Sequence, residues 1–176
     1  MKRYTAQSGF TLIEMMMVIA IMAILSGFLL PGLGKYLDSQ SLFQAQDQVK
    51  GDLRSIQTRA LTGAGFNGTY KYWGVMFVND QNKYEYFLSA SNNDTTCTNA
   101  DFDTQGTSQR LPGNMKIVKT DSGAASNCYY FAFDSGNANF ASGAGNIYIG
   151  NGTSCVKITI NSAGFITADR SIVACN

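Results

Sequence analysis

A single carboxylate stands inside an apolar segment of membrane-spanning length, and this combination constrains the chain most. Glu14 follows Phe10-Thr11-Leu12-Ile13 and precedes Met-Met-Met-Val-Ile-Ala-Ile-Met-Ala-Ile-Leu. A charged side chain in the hydrocarbon region costs about 2.5 to 3.5 kcal/mol on insertion scales. The run contains no basic residue that could neutralise it. We therefore expect Glu14 to have a partner outside this run.

The residues around this acid follow a specific pattern. A short stretch with Lys2 and Arg3 ends at Gly9 and is followed by Phe-Thr-Leu-Ile-Glu. This pattern resembles the class III leader and first helix of type IV pilins and type II secretion pseudopilins, over the first few tens of residues. The resemblance implies that a membrane aspartic peptidase, the prepilin peptidase, cuts after Gly9 and N-methylates Phe10. It also implies that Glu14 pairs with the amine of Phe10 on a neighbouring subunit.

Two other N-terminal signals share the basic start and the apolar core. A Sec signal peptide is removed at a small-residue site, and Gly32-Leu33-Gly34 is a passable site of that kind. Its hydrophobic region usually runs about 7 to 15 residues and does not open with a glutamate. A plain signal anchor is the other alternative. Neither explains Glu14, so we favour the pilin-type leader over both.

Length and charge allow one modest soluble domain and do not indicate nucleic-acid binding. The chain has 176 residues and a formal charge of +1, and loss of Lys2 and Arg3 leaves 11 basic against 12 acidic residues. Such a balance gives no bulk attraction to nucleic acid. Trp73 could stack on a base, but only Lys71 and Lys83 are close to it in the sequence. We expect Trp73 to pack in the core.

The four cysteines, Cys97, Cys128, Cys155 and Cys175, all follow the helix, where an exported domain is oxidised. Four cysteines allow three pairings, and sequence alone does not choose among them. Proximity favours Cys97 with Cys128 and Cys155 with Cys175, each closing a loop of roughly 20 to 30 residues worth ~3 kcal/mol. Reduced, metal-binding cysteines are the alternative. The chain has no C-x-x-C pair and no histidine, so a zinc site is not expected.

The first element is predicted to be one long helix in two unlike parts. Residues 10–34 form the transmembrane and filament-core part, because Phe10 to Leu33 rises about 36 Å against a hydrocarbon core of about 30 Å. Pro31, with Gly32 and Gly34 beside it, predicts a kink or a melted turn, and we assign Pro31 to assembly together with Glu14. Residues 35–62 form an amphipathic part that ends near Thr62-Gly63. Its apolar positions step by three or four: Leu42, Ala45, Val49, Leu53, Ile56 and Ala60.

After Gly68 the pattern predicts β-strands. Residues 69–78 and 83–88 are rich in aromatic and branched side chains and flank a polar turn, which is typical of a hairpin. Shorter strands are predicted at 115–119, 129–133, 146–149, 156–160 and 165–167, with surface loops at 89–103 and 134–145.

This order of elements predicts an α+β fold. A long N-terminal membrane-spanning helix packs its C-terminal half on a small, mainly antiparallel β domain. The predicted organisation is a cleaved leader at 1–9, the helix parts at 10–34 and 35–62, and a globular β-rich head at 63–176.

No catalytic site is predicted. Residues 63–68 satisfy G-x-G-x-x-G but follow a helix and precede a strand, the reverse of the phosphate-binding order. Residues 154–157 fit S-x-x-K without its companion motifs. The absence of histidine excludes Ser-His-Asp and Cys-His mechanisms. Asp94, Asp101 and Asp103 could hold calcium, but no EF-hand spacing is present and solvated loop acids are favoured. We expect no metal and no cofactor.

Further positions resemble particular pilin subtypes. The helix segment 52–60, the strand 73–78 and residues 160–164 look like the H-type pseudopilins and the T- or U-type minor pilins, which are low-abundance subunits near filament tips. Major pilins also end with a disulfide-closed loop, which Cys155 and Cys175 could mimic. The resemblance implies a non-enzymatic subunit of a type IV pilus or a type II secretion filament, and it favours a minor pilin or pseudopilin. A major pilin and a tip-displayed adhesion or DNA-capture module are the alternatives.

The same resemblance implies partners and a location. The partners are other pilin or pseudopilin subunits, the prepilin peptidase and methyltransferase, the inner-membrane assembly platform and the membrane itself. Before assembly the chain would cross the bacterial inner membrane once, with Lys2 and Arg3 cytoplasmic. After assembly it would lie in a periplasmic pseudopilus or a cell-surface pilus.

Overall fold

The structure is a computed structural model in which the chain forms two compact units, residues 1–39 and 40–176. It describes residues 9–65, 71–91, 102–121, 126–133, 138–139 and 145–175. For residues 29–32, 102–107, 126 and 138–139 it describes the backbone alone.

The first unit consists of the N-terminal part of a single long helix, α1, which spans Leu12–Thr62. The backbone stays helical through residues 29–32, so Pro31 does not end the helix. The helix bends between Phe28 and Leu33, which is where the sequence predicts a kink. A proline removes one backbone donor and crowds the preceding turn, so a bend within a continuous helix is the expected outcome.

In the second unit, α1 buries the apolar stripe that the sequence predicts. Each residue of the stripe is at most 1% exposed: Leu42, Ala45, Val49, Leu53, Ile56 and Ala60. The helix ends at Thr62, as predicted. Gly63 follows with a φ of 70°, and its N–H donates to the carbonyl of Ala60 at 3.3 Å. Glycine tolerates this left-handed conformation, which closes a helix by satisfying its last carbonyl groups.

The strands of the second unit form two antiparallel sheets on which α1 packs. In the described part of the chain, one sheet has the order β3-β2-β1-β5-β6 and the other β4-β7-β8-β9. The strands are β1 Tyr72–Val78, β2 Lys83–Ser89, β3 Phe102–Arg110, β4 Lys116–Thr120, β5 Ser126–Ala132, β6 Ala138–Asn139, β7 Gly145–Gly150, β8 Ser154–Ile160 and β9 Ile166–Ala174. The α+β prediction is therefore confirmed.

Three features of the sheets differ from the sequence prediction. β3 begins inside the predicted loop 89–103, β6 lies inside the predicted loop 134–145, and β9 extends seven residues beyond the predicted end at 167. The sequence of β3 is largely polar, and residues 169–174 of β9 place three polar residues before three apolar ones, so neither segment alternates. These strands form because the edges of β2 and β8 offer backbone hydrogen bonds, and such pairing leaves no hydrophobic period to detect.

One hydrophobic core joins the helix stripe to the inner faces of both sheets. Val75, Phe77, Ile147 and Ile158 are fully buried within it. Trp73 is also buried, as predicted, and its indole N–H donates to the carbonyl of Ala64 at 2.6 Å. Because its ring is buried and its N–H is hydrogen-bonded, Trp73 is not available to stack on a nucleic-acid base.

Polar side chains on α1 also bind the sheets, which the sequence analysis missed. The amide nitrogen of Gln46, a buried residue, donates to the carbonyls of Lys157 at 2.9 Å and Asp169 at 2.7 Å. Lys157 and Asp169 are the first pair after the point where the β8–β9 register shifts. Gln46 thus supplies hydrogen bonds at an irregularity where two neighbouring strands cannot satisfy each other.

A buried phenol binds a helix carboxylate on the other side of α1. The hydroxyl of Tyr84 donates to Asp52, and the amide nitrogen of Gln48 donates to the carbonyl of Arg110 at 2.9 Å. Burial is the main cause that raises the pKa values of Tyr84 and Tyr86, and hydrogen bonding to Asp52 raises both further. These phenols therefore stay neutral in the folded head.

A disulfide joins Cys155 on β8 to Cys175, just after β9, with a Cα–Cα distance of 5.2 Å. This is the pair that proximity in the sequence favours. A Cβ atom at Gly150 would lie 2.5 Å from one of the two sulfur atoms and 2.7 Å from the other, so the disulfide packs directly on this glycine. Cys128 is also disulfide-bonded. Cys97 lies outside the described residues, and its pairing with Cys128 stays a prediction.

Candidate assembly site at the start of the helix

The predicted cleavage site lies in non-helical backbone immediately before α1. Gly9, Phe10 and Thr11 precede the first helical residue, Leu12, and both Gly9 and Phe10 are exposed. A Cβ atom at Gly9 would meet nothing within 4 Å. The bond after Gly9 therefore lies in exposed, non-helical backbone. The leader residues 1–8, including Lys2 and Arg3, lie outside the described residues.

Thr11 and Glu14 form a reciprocal cap on the N-terminus of α1. The Thr11 N–H donates to Glu14 Oε2 at 2.9 Å, and the Glu14 N–H donates to Thr11 Oγ1 at 3.4 Å. The Thr11 hydroxyl also donates to Glu14 Oε2 at 2.9 Å. This arrangement is a capping box, which satisfies backbone donors that have no partner within the helix. A carboxylate in the first turn also interacts favourably with the helix dipole.

The cap changes the interpretation of Glu14. The resemblance implies a partner for this carboxylate on another subunit, which stays a prediction. The capping role of Thr11 is an additional finding, and T-x-x-E before an apolar run is its signal in the sequence. Thr11 and Glu14 both follow Gly9, so cleavage there leaves the cap intact. The cap supplies hydrogen bonds to the carboxylate but no positive charge.

One carboxylate oxygen of Glu14 remains available. All three hydrogen bonds between Thr11 and Glu14 leave Oε1 without a partner among the residues that the structure describes. The ion pairs in the described ranges join Lys83 to Glu85 and Arg170 to Asp47, and neither involves Glu14. The carboxylate is therefore held in a fixed orientation by Oε2 while Oε1 can accept a hydrogen bond from an ammonium group.

The helix surface that follows is apolar on every side. From Leu12 to Phe28 the large apolar residues are between 47% and 81% exposed in this chain. A helix that is hydrophobic all round is buried in a larger assembly or in a membrane, because an amphipathic helix would show one polar face. Among the described residues, the first unit therefore has an apolar helix surface that is exposed on all sides.

Within the described residues, no single helix is both long and apolar enough to cross a membrane. The bent pair Leu12–Phe28 and Leu33–Thr62, taken together, meets that requirement by length and composition.

The other residues singled out in the sequence contribute less to this site. Pro31 lies within the bend, and its side chain is not described. Asp94 and Asp101 lie outside the described residues, and of Asp103 only the backbone is described. Where the chain is described, no group of three or more Cys, Asp or Glu residues is placed to hold a metal ion.

The start of the chain matches a known sequence motif. Residues 4–30 match the prokaryotic N-terminal methylation motif. Neither a curated protein nor a solved structure matches the chain. The motif begins in the leader and ends in the apolar helix, so it includes Gly9, Phe10, the Thr11–Glu14 cap and most of the exposed surface. It supports a prepilin-type leader and a structural subunit of the pilin or pseudopilin type.

Proposed function

We propose that this chain is a non-enzymatic filament subunit of a type IV pilus or a type II secretion system, assembled through its N-terminal helix. The observation that carries the proposal is the match of residues 4–30 to the methylation motif. A second observation supports it: a capped apolar helix, exposed on all sides, begins two residues after Phe10. A structural role fits because the apolar surface needs a partner, and no catalytic constellation is needed to explain it.

The first step in this proposal is processing at the membrane. Residues 10–34 cross the inner membrane with Lys2 and Arg3 on the cytoplasmic side. The prepilin peptidase cuts after Gly9 and methylates the new N-terminus at Phe10. The leader at 1–9 is lost, and residues 35–62 and 63–176 remain as the amphipathic helix part and the globular head.

The second step is assembly into a filament. Extraction from the membrane moves the apolar surface of residues 12–28 from lipid into a bundle of neighbouring helices. Glu14 Oε1 then accepts a hydrogen bond from the Phe10 amine of the adjacent subunit. Thr11 keeps the carboxylate oriented through its hydrogen bonds to Oε2. An ion pair in such apolar surroundings is strong only in one geometry, so it defines the axial register of the subunits. The assembly platform and other pilin subunits are the partners at this step.

The proposal is tested by mass spectrometry of the mature chain. The expected N-terminus is N-methylated Phe10. An N-terminus at Lys35 would instead identify a Sec signal peptide and contradict the proposal. Gly9→Val should block processing, whereas Gly27→Ala is a matched control at a second glycine where a Cβ atom meets nothing within 4 Å. Because Gly9 has equally open surroundings, a processing defect at Gly9 would reflect recognition by the peptidase.

The resemblance to subtypes favours a minor pilin or pseudopilin near the filament tip. A repeated, major subunit is the second candidate, and an exposed Phe165 together with a cavity elsewhere on the head favours it. Immunogold counts along isolated filaments distinguish these two candidates, because a tip subunit labels only filament ends.

A further inference from the structure

Among the aromatic side chains described in the head, that of Phe165 is the most exposed, ahead of Phe133 at 47%. Phe165 lies in the turn between β8 and β9, just before Ile166, and is 70% exposed. The other phenylalanines of the two sheets that are described, Phe77, Phe87 and Phe131, are fully buried. An exposed aromatic ring is a large apolar surface left in water, and aromatic side chains are common anchors at protein interfaces.

The turn that presents Phe165 is held firmly. Asn161 Oδ1 accepts the Phe165 N–H at 2.8 Å, and the Asn161 N–H donates to the Phe165 carbonyl at 3.1 Å. Gln57 on α1 donates to the carbonyl of Gly164 at 3.0 Å. The ring therefore stands on a turn that is hydrogen-bonded internally and fixed to the helix. Binding through such a preorganised anchor loses little conformational entropy.

A cavity of matching size lies elsewhere on the same head. It has a volume of about 200 Å³ and is lined by Met76, Val78, Gln81, Lys83, Tyr84 and Glu85 at the turn end of the β1–β2 hairpin. A cavity of about 150 Å³ is large enough to bind benzene. The space is therefore sufficient for one phenyl ring.

The lining of this cavity complements an aromatic ring in chemistry as well. Met76 and Val78 supply apolar surface, and a thioether makes favourable contacts with aromatic rings. Lys83 stands at the rim, paired with Glu85 at 2.9 Å, and 46% of its side chain is exposed. An ammonium group at that position can lie over the face of an inserted ring.

The anchor and the cavity lie near different positions along α1. Tyr84, which lines the cavity, accepts a hydrogen bond from Gln48, whereas the Phe165 turn is bound by Gln57. Nine residues separate Gln48 from Gln57, which corresponds to about 14 Å along a helix. Two complementary surfaces that do not coincide produce a head-to-tail contact, which generates a helical filament when it does not close into a ring.

We propose that Phe165 of one copy inserts into the Met76–Val78–Lys83 cavity of a second copy, stacking the heads along the filament. This inference rests on the proposed filament function and deepens it by naming the contact between heads. It also implies that copies of this chain are adjacent, as expected for a repeated subunit.

Photo-crosslinking in assembled filaments tests the contact. A photoreactive phenylalanine analogue replaces Phe165 in the full chain, and cells co-express the chain in light and heavy isotopic forms. The expected product joins residue 165 of one isotopic form to the segment 76–85 of the other. The same analogue at Ile172, an apolar residue that is 45% exposed on β9, is the control and should give no such product. Phe165→Ala should reduce incorporation into filaments by at least about tenfold, and Phe165→Trp should retain it.

The outcomes separate this inference from the function on which it rests. If the chain is recovered in filaments but residue 165 links only within its own chain, to another protein or to nothing, the head contact is wrong and the filament function stands. If the chain is absent from isolated filaments, the proposed function fails and this inference fails with it.

Discussion

The two parts of α1 bury their apolar surfaces in opposite ways. Between Leu12 and Phe28 the large apolar residues are 47% to 81% exposed, whereas the stripe from Leu42 to Ala60 is at most 1% exposed. Burying one large apolar side chain is worth about 1.5 to 3 kcal/mol. The second part of the helix obtains this stabilisation by packing on the sheets of the head, whereas the apolar side chains of the first part stay exposed. Under the proposed function, one continuous helix therefore serves folding at one end and assembly at the other.

The largest expected effect comes from a cavity in the buried stripe. Leu53→Ala should lower the free energy of unfolding of the head by about 2 to 5 kcal/mol, because it removes buried methyl groups from a packed core. The measurement is denaturant unfolding of the full chain in detergent, followed by the fluorescence of buried Trp73. Leu25→Ala is the matched control in the exposed part and should change the value by less than about 0.5 kcal/mol. Equal destabilisation by both variants would contradict the division of the helix.

The disulfide at the end of β9 should give the next largest effect. Replacing Cys155 and Cys175 together by serine removes a crosslink that closes a loop of about 20 residues, worth ~3 kcal/mol. The same unfolding measurement should show this loss in the head, and the apolar helix should still enter membranes. An unchanged unfolding midpoint would show that the edge strand β9 is held by its hydrogen bonds alone.

A substitution at Gln46 tests how much its hydrogen bonds contribute to the packing of α1 on the sheets. Gln46→Ala leaves the carbonyls of Lys157 and Asp169 without their side-chain donor, and an unsatisfied buried group costs about 1 to 3 kcal/mol. The variant also removes the buried Gln46 Oε1, which has no hydrogen-bond partner in the described part of the chain, so the net loss should lie in the lower part of that range. Gln44→Ala is the matched control, because Gln44 is exposed on the same helix. Similar unfolding free energies for the two variants would mean that the Gln46 hydrogen bonds make no net contribution.

Alkaline pH should lower the stability of the head through its buried tyrosines. Changes of pH near neutrality should have no effect through these groups. Burial raises the pKa of Tyr84 and of Tyr129 above the ordinary value of 10, with the charges of Asp52 and Asp121 contributing. A raised pKa in the folded state gives stability that is complete below about pH 10 and lost progressively above it. The loss is at most about 1.4 kcal/mol per pH unit for each phenol. Unfolding free energies measured across this range should decline, and Tyr84→Phe should make the decline shallower. A flat profile would contradict the buried, neutral phenols.

Regular periodicity explains what could be predicted from the sequence. The stripe from Leu42 to Ala60 follows the helical repeat and packs as expected, and the aromatic hairpin of β1 and β2 is present. Glycine after Thr62 correctly predicts the end of the helix. These features are local, since each depends on residues that are neighbours in the sequence.

The missed features depend on distant partners. β3 is polar and pairs through its backbone with β2, so its own sequence contains no strand period. Gln46 binds carbonyls more than one hundred residues away, and no local pattern identifies it. Thr11 is different, because the spacing from Thr11 to Glu14 is visible in the sequence. The sequence analysis considers only the charge of Glu14 and therefore does not predict the capping box.

The most direct measurement compares Glu14→Ala with the unaltered chain in two fractions, the inner membrane and the isolated filaments. Removing a charge from an apolar segment does not hinder insertion, so the amount in the membrane should be unchanged. The amount in filaments should fall at least about tenfold, because one ion pair in apolar surroundings is worth more than about 1.4 kcal/mol. Thr11→Ser retains the capping hydroxyl and should behave like the unaltered chain. Equal incorporation of the Glu14→Ala variant into filaments would contradict the central role assigned to this carboxylate.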